Sequence, residues 1–197
     1  MSDLTPTSII AADIAPENVG LALPPLPAGG HSEADLVALA KRVRFDARAW
    51  EALAPYLAFD ARQYRRVRLF RDENWEGLLL CWLPGQSTAI HDHGGSVGIS
   101  FVLSGSLTEE RWMPDGDGRP LARAGDCQVT RGAAAVEMLD TIHRVANRSD
   151  EPAVSLHVYS PPLTTLGAHD PDTGARWEVP VADSGGVQVG GDPGLAV

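Results

Sequence analysis

Two cysteines in 197 residues cannot build a disulfide framework, so a cystine-stapled scaffold is excluded. Cys81 lies in an apolar run and Cys127 follows Gly125-Asp126, and both read as buried small hydrophobes. Positive charge is scarce as well: 16 Lys and Arg face 26 Asp and Glu, a net charge of −10. Beyond Arg65, Arg66 and Arg68 no basic cluster stands out, so no nucleic-acid partner is expected. No apolar run approaches the length of a signal or membrane-spanning helix, and Met1 to Pro6 carries no basic segment. The expectation is a cytoplasmic protein with no membrane partner. Aromatics make up only 6% of the chain, but hydrophobic residues reach 44%, enough for one sizeable core, and no repeat divides it.

What the chain does have is three histidines in a suggestive arrangement. Successive side chains on an extended strand point to opposite faces, so His91 and His93 project together while Asp92 points away. The flanking segments read as β-structure. Leu78 to Trp82 is an apolar run closed by Pro84-Gly85, and Ile99 to Leu103 is another, closed by Ser104-Gly105. Fifty residues on, His143 sits in His143-Arg144-Val145-Ala146-Asn147.

Gly85, His91-x-His93 and Gly105 resemble the first motif of the cupin superfamily, and His143 with Asn147 resembles the second. The resemblance implies an all-β core, a cupin double-sheet jelly-roll barrel with a small N-terminal helical segment, and a metal site inside the barrel. Most metal cupins carry a glutamate four or five residues after the second histidine. Here those positions are Val97 and Gly98. Three neutral imidazoles leave a divalent ion its full charge and about three open positions for other ligands.

The neighbouring residues narrow the likeness. His91 to Ser96, Ile142 to Asn147, and Ser155-Leu156-His157-Val158-Tyr159-Ser160-Pro161-Pro162 resemble the thiol dioxygenases, most closely the cysteine dioxygenase type I family, over about residues 64–163. That resemblance implies Fe(II) held by His91, His93 and His143, although zinc or nickel would also suit three imidazoles. It implies oxidation of a small-molecule thiol, L-cysteine, to a sulfinate by O2. A dioxygenase for 3-mercaptopropionate or another small thiol is the first alternative, and a non-catalytic metal-binding cupin the second. A monomer or weak homo-oligomer is expected.

Ser155, His157 and Tyr159 alternate along one expected strand and so share a face, where hydroxyl, imidazole and phenol can form a hydrogen-bonded row. The resemblance places the phenol of Tyr159 near the metal. In animal members a cysteine five residues after the second ligand is joined to that tyrosine by a thioether, whereas this chain has Gly98 there and cannot form the link. Family members that oxidise cysteine also bind its carboxylate with an arginine upstream of the first ligands. Aligning Tyr64 puts Arg66 at that position, with a spacing to His91 one residue short, so Arg65 and Arg68 remain alternatives.

Outside these motifs the signals are weaker. The chain reads as a single cupin domain, with residues 1–31 an extended arm, 32–60 helical, 61–180 the barrel and 181–197 a flexible Gly-rich tail. Ser32 and Asp46 are expected to cap the two helices. His31 and His169 lie in polar or Pro/Gly-rich stretches and read as satisfied residues without a functional task.

Overall fold

The computed structural model describes residues 10–11, 14–115 and 121–181. Its strands in chain order are β1 (Ile10–Ala11), β2 (Arg65–Arg71), β3 (Glu76–Trp82), β4 (His91–Asp92), β5 (Val97–Ser104) and β6 (Ser106–Pro114). They continue with β7 (Leu121–Thr130), β8 (Ala134–Glu137), β9 (Ile142–Ala146), β10 (Ala153–Ser160), β11 (Thr165–His169) and β12 (Arg176–Pro180). One sheet has the order β1-β2-β3-β10-β5-β8 and the other β12-β11-β4-β9-β6-β7. Among the described residues every strand pairing is antiparallel except β1 with β2. This is the double-sheet jelly roll that the motifs imply.

Strand alternation sorts the first sheet into two faces. On β3, Leu78, Leu80 and Trp82 join the cluster between the sheets, together with Val102 of β5 and Tyr159 of β10. Leu79 and Cys81 of β3, Ile99 and Phe101 of β5, and Leu156 and Val158 of β10 face the other way, into a second apolar cluster. A sheet apolar on both faces needs an outer cover, and the N-terminal region supplies it.

Helix α1 (Glu33–Arg42) begins at a capping box: the Ser32 hydroxyl accepts from Asp35 N at 3.3 Å and the Asp35 carboxylate from Ser32 N at 2.9 Å. Helix α2 (Ala47–Leu53) starts where Asp46 accepts from Ala49 N at 2.9 Å. Leu36, Leu39 and Leu53 point from these helices into the outer cluster, where each fully buried side chain contributes roughly 1.5–3 kcal/mol. The arm joins the same cover. Ile14, Val19 and Leu21 are buried there, and Ile14 N donates to Leu69 O at 2.9 Å. The rest of the expected arm, residues 1–9 and 12–13, and residues 182–197 of the expected flexible tail lie outside the described residues, while Val181, where that tail was expected to begin, is buried in the inner cluster.

Two sequence expectations fail: His31, expected to be satisfied, has no hydrogen-bond partner for its buried Nε2 among the described residues, and Cys81 is buried but Cys127 is exposed. Cys127 sits on β7, which ends its sheet, and residues 123–128 are all exposed because no described element covers that edge. No helix among the described residues is long and apolar enough to cross a membrane.

Candidate metal centre

The first two histidines owe their placement to a tight turn. Gly94 follows at φ +58°, where the Thr165 backbone oxygen approaches so closely that a side chain would collide with it. On the facing strand β9, His143 pairs directly with His91 of β4. The three rings therefore converge, with centroids 4.7 to 5.1 Å apart, and one nitrogen from each lies within 4.8 Å of the others. All three side chains are buried.

Hydrogen bonding decides which nitrogens are left for a ligand. The Ala89 carbonyl can only accept, so His91 donates to it from Nδ1 at 3.0 Å and keeps a lone pair on Nε2. His143 likewise donates from Nδ1 to Glu109 Oε1 at 2.8 Å. His93 has no hydrogen-bond partner on either nitrogen among the described residues, which in a buried imidazole calls for a ligand that accepts its lone pair. Burial holds His91 neutral, with a pKa lowered to about 4, and lowers His93 and His143 well below the usual histidine value. Three neutral, buried, converging imidazoles fit a divalent metal ion.

Asp92, between the first two histidines, points away from them as the alternation requires. It accepts from Gly94 N at 2.9 Å, His169 Nε2 at 2.8 Å and Arg176 Nε at 2.7 Å. Burial would raise its pKa, but these hydrogen bonds outweigh it and hold the carboxyl below the usual range. His169, with no functional task in the sequence, thus ties the short strand β4 to β11.

Two buried carboxylates escaped the sequence reasoning. Glu109 reaches His143 from β6 and also pairs with Arg111 at 2.8 Å. Glu137, on β8, stands opposite Gly98 of β5. Its Oε2 lies 3.3 Å from His93 Nε2, and its Oε1 accepts a short hydrogen bond from Ser100. Burial pushes its pKa to about 8 against that donation. The one available signal was a charged residue at an inward strand position, but its target depends on a strand pairing that the sequence does not display.

Ser155, His157 and Tyr159 do share a face of β10. Ser155 Oγ lies 2.8 Å from His157 Nε2, and Tyr159 Oη 3.2 Å from His157 Nδ1. Burial lowers the His157 pKa to about 3 and raises that of Tyr159 well above its ordinary value. Both residues line a cavity with His91, His143, Tyr64 and Arg66. The cavity holds about 440 Å³ of atom-free space including its open mouth, and its remaining wall is mainly Leu78, Leu80, Val145, Leu163 and Leu166. Of the three candidate arginines, Arg66 lines it and Arg65 and Arg68 do not. Arg65 is one residue out of phase with Arg66 and lies near Cys81, in the outer cluster.

The family model described as cysteine dioxygenase type I matches residues 18–172. Cysteine dioxygenase type 1 of Homo sapiens is 38% identical over 133 residues, covering 64% of this chain and 65% of the relative. The Bos taurus protein of the same name is 37% identical over the same length and coverage. The matches thus span slightly less than two thirds of these relatives. Among solved structures, the TT1209 protein of Thermus thermophilus is 24% identical, covers 55% of this chain and 93% of its own, and has a TM-score of 0.47.

Proposed function

This chain belongs to the cysteine dioxygenase type I family, and from that premise we propose that it oxidises L-cysteine to cysteine sulfinate with O2, at a non-haem Fe(II) held by His91, His93 and His143. The observation that carries this reading is the convergence of three buried, neutral imidazoles, two of which, His91 and His143, line a small cavity with Arg66 and Tyr159. When bound, Fe(II) supplies the redox chemistry that couples dioxygen to a thiolate sulfur.

The protein's own groups do the rest. The Nδ1–H donations from His91 and His143 fix their rings so that Nε2 faces inward. Arg66 offers a planar guanidinium suited to a carboxylate fork, which selects a carboxylate-bearing thiol over a simple alkyl thiol. The Tyr159 ring lies beside His93, centroids 5.1 Å apart, and lines the cavity, where its hydroxyl would serve as a donor to the substrate. The leucine-lined wall excludes water and strengthens both interactions.

Oxygen uptake by anaerobically iron-loaded protein, measured against a panel of small thiols, tests the reading. One O2 consumed per cysteine, with a product about 32 mass units heavier, is the expected result. Clear preference for 3-mercaptopropionate would replace the substrate, and no uptake with any thiol would leave a non-catalytic metal-binding barrel.

A further inference from the structure

The Ser155-His157-Tyr159 row continues beyond its own strand at both ends. Trp82 Nε1, which can only donate, gives a hydrogen bond to Ser155 Oγ at 2.9 Å. Ser155 is fully buried with its Oγ 2.8 Å from His157 Nε2, and when that nitrogen is unprotonated the hydroxyl donates to it. An imidazole accepting at Nε2 carries its proton on Nδ1. From that nitrogen Ser100 Oγ lies at 2.9 Å, and Ser100 donates onward to Glu137 Oε1. With His157 as the Nδ1–H tautomer, each link runs the same way, from the indole donor at one end to a carboxyl acceptor at the other.

This direction matters to Tyr159. Its hydroxyl lies 3.2 Å from the same Nδ1, so in that tautomer it accepts there and its own proton faces Glu137, with which it hydrogen-bonds, on the side of the three histidines. Glu137 stands on the metal side of the phenol, with Oε2 3.3 Å from His93 Nε2. Room for this comes from Gly98. A Cβ built there would stand 2.7 Å from Tyr159 Cδ1 and 3.0 Å from Glu137 Oε2, so ring and carboxylate sit side by side only because the position has no side chain.

We propose that Glu137 is a positioning residue: as terminal acceptor of the Trp82-Ser155-His157-Ser100 chain it fixes His157 as the Nδ1–H tautomer and so keeps the Tyr159 proton turned away from His157, toward the side of the three histidines. The consequence for turnover rests on the function proposed above; the tautomer does not.

Two variants separate the carboxyl's accepting role from its bulk. Glu137→Gln keeps an oxygen that accepts from Ser100, while Glu137→Met has similar length and no such acceptor. Nitrogen-15 NMR of the imidazoles in metal-free protein reads the tautomer, and oxygen uptake by the iron-loaded protein reads turnover. Wild type and Glu137→Gln are expected to show His157 as Nδ1–H. Glu137→Met should show a mixture of tautomers and lose about tenfold in kcat for cysteine with KM within about twofold. An Nε2–H His157 in the wild type, or a tautomer unmoved in Glu137→Met, overturns the proposal. If the Met variant does not fold, Ser100→Ala breaks the same link and carries the same expectations. A tautomer that shifts as expected in a protein that oxidises no thiol upholds the chain's direction and overturns the proposed function instead.

Discussion

Glu109 Oε1 accepts the Nδ1 proton of His143 at 2.8 Å, across the neighbouring strands β6 and β9. That bond aims His143 Nε2 at the two other imidazoles and makes it a better donor. Glu109→Ala should leave the barrel folded but weaken metal binding about 10- to 100-fold, the usual cost of losing an anchor behind a metal ligand. Competition against a chromophoric chelator measures this directly. An affinity within about twofold of wild type would make Glu109 a partner of Arg111 alone.

His91 with His93, the tyrosine row and the helix caps were legible because each depends on local spacing, i, i+2 on a strand or three residues around a cap, whereas His143 was reached only through the resemblance of its motif. Glu109 and Glu137 were not legible, because their importance arises from pairing between strands distant in sequence, β6 with β9 and β5 with β8. The same limit explains Cys127. Its burial was expected from the general habit of isolated cysteines, but β7 closes the edge of its sheet. The arm was expected to be extended and to pack on the barrel or fray; Pro16–Val19 instead forms a short 3-10 helix, and Val19 and Leu21 are buried against the outer face, which needs a cover.

Tyr159 carries the second prediction. Gly98 leaves the phenol without a covalent neighbour, so Tyr159→Phe removes one hydroxyl from a ring that is otherwise packed on His93 and the inner cluster. Stability should change little, while kcat falls on the order of ten- to a hundredfold, the scale of a lost positioned proton donor. The intact mass of the wild type should equal that of the sequence, without the loss of two hydrogens that a side-chain crosslink brings. Unchanged turnover would make Tyr159 a packing residue.

Acid should destabilise the metal-free protein. In the fold His91 and His157 have pKa values near 4 and 3, against 6.5 in the unfolded chain, and His93 and His143 are also lowered. From about pH 6.5 down to 4 the unfolded chain therefore binds protons that the folded chain refuses, and stability falls as pH falls. Glu137, raised to about 8 from 4.5, works in the opposite sense, its contribution declining as pH rises through that interval, and Glu109 is raised too. Four histidines outweigh two carboxyls. Denaturant unfolding with chelator present at pH 7, 6 and 5 should show the loss. His157→Gln should make the slope shallower by about one proton, about 1.4 kcal/mol per pH unit. A steeper or unchanged slope would mean that His157 is charged in the fold.

Substrate choice turns on Arg66, the arginine that lines the cavity with Tyr64 and Tyr159. A guanidinium paired with a carboxylate in a partly dry site contributes about 1.5–3 kcal/mol, roughly ten- to a hundredfold in binding. Cysteine should accordingly be oxidised far more efficiently than cysteamine, which has no carboxylate. Arg66→Ala should raise KM for cysteine by about that factor, leave cysteamine nearly unaffected and so close the gap between them. Arg65→Ala, on the outer face of the sheet, should behave as wild type toward both thiols. Steady-state kinetics with the two substrates and the two variants check all of this at once: a loss seen with Arg65→Ala and not with Arg66→Ala would move the carboxylate partner off the cavity wall, and an equal loss for both thiols in Arg66→Ala would show that the arginine holds the site together without reading the carboxylate.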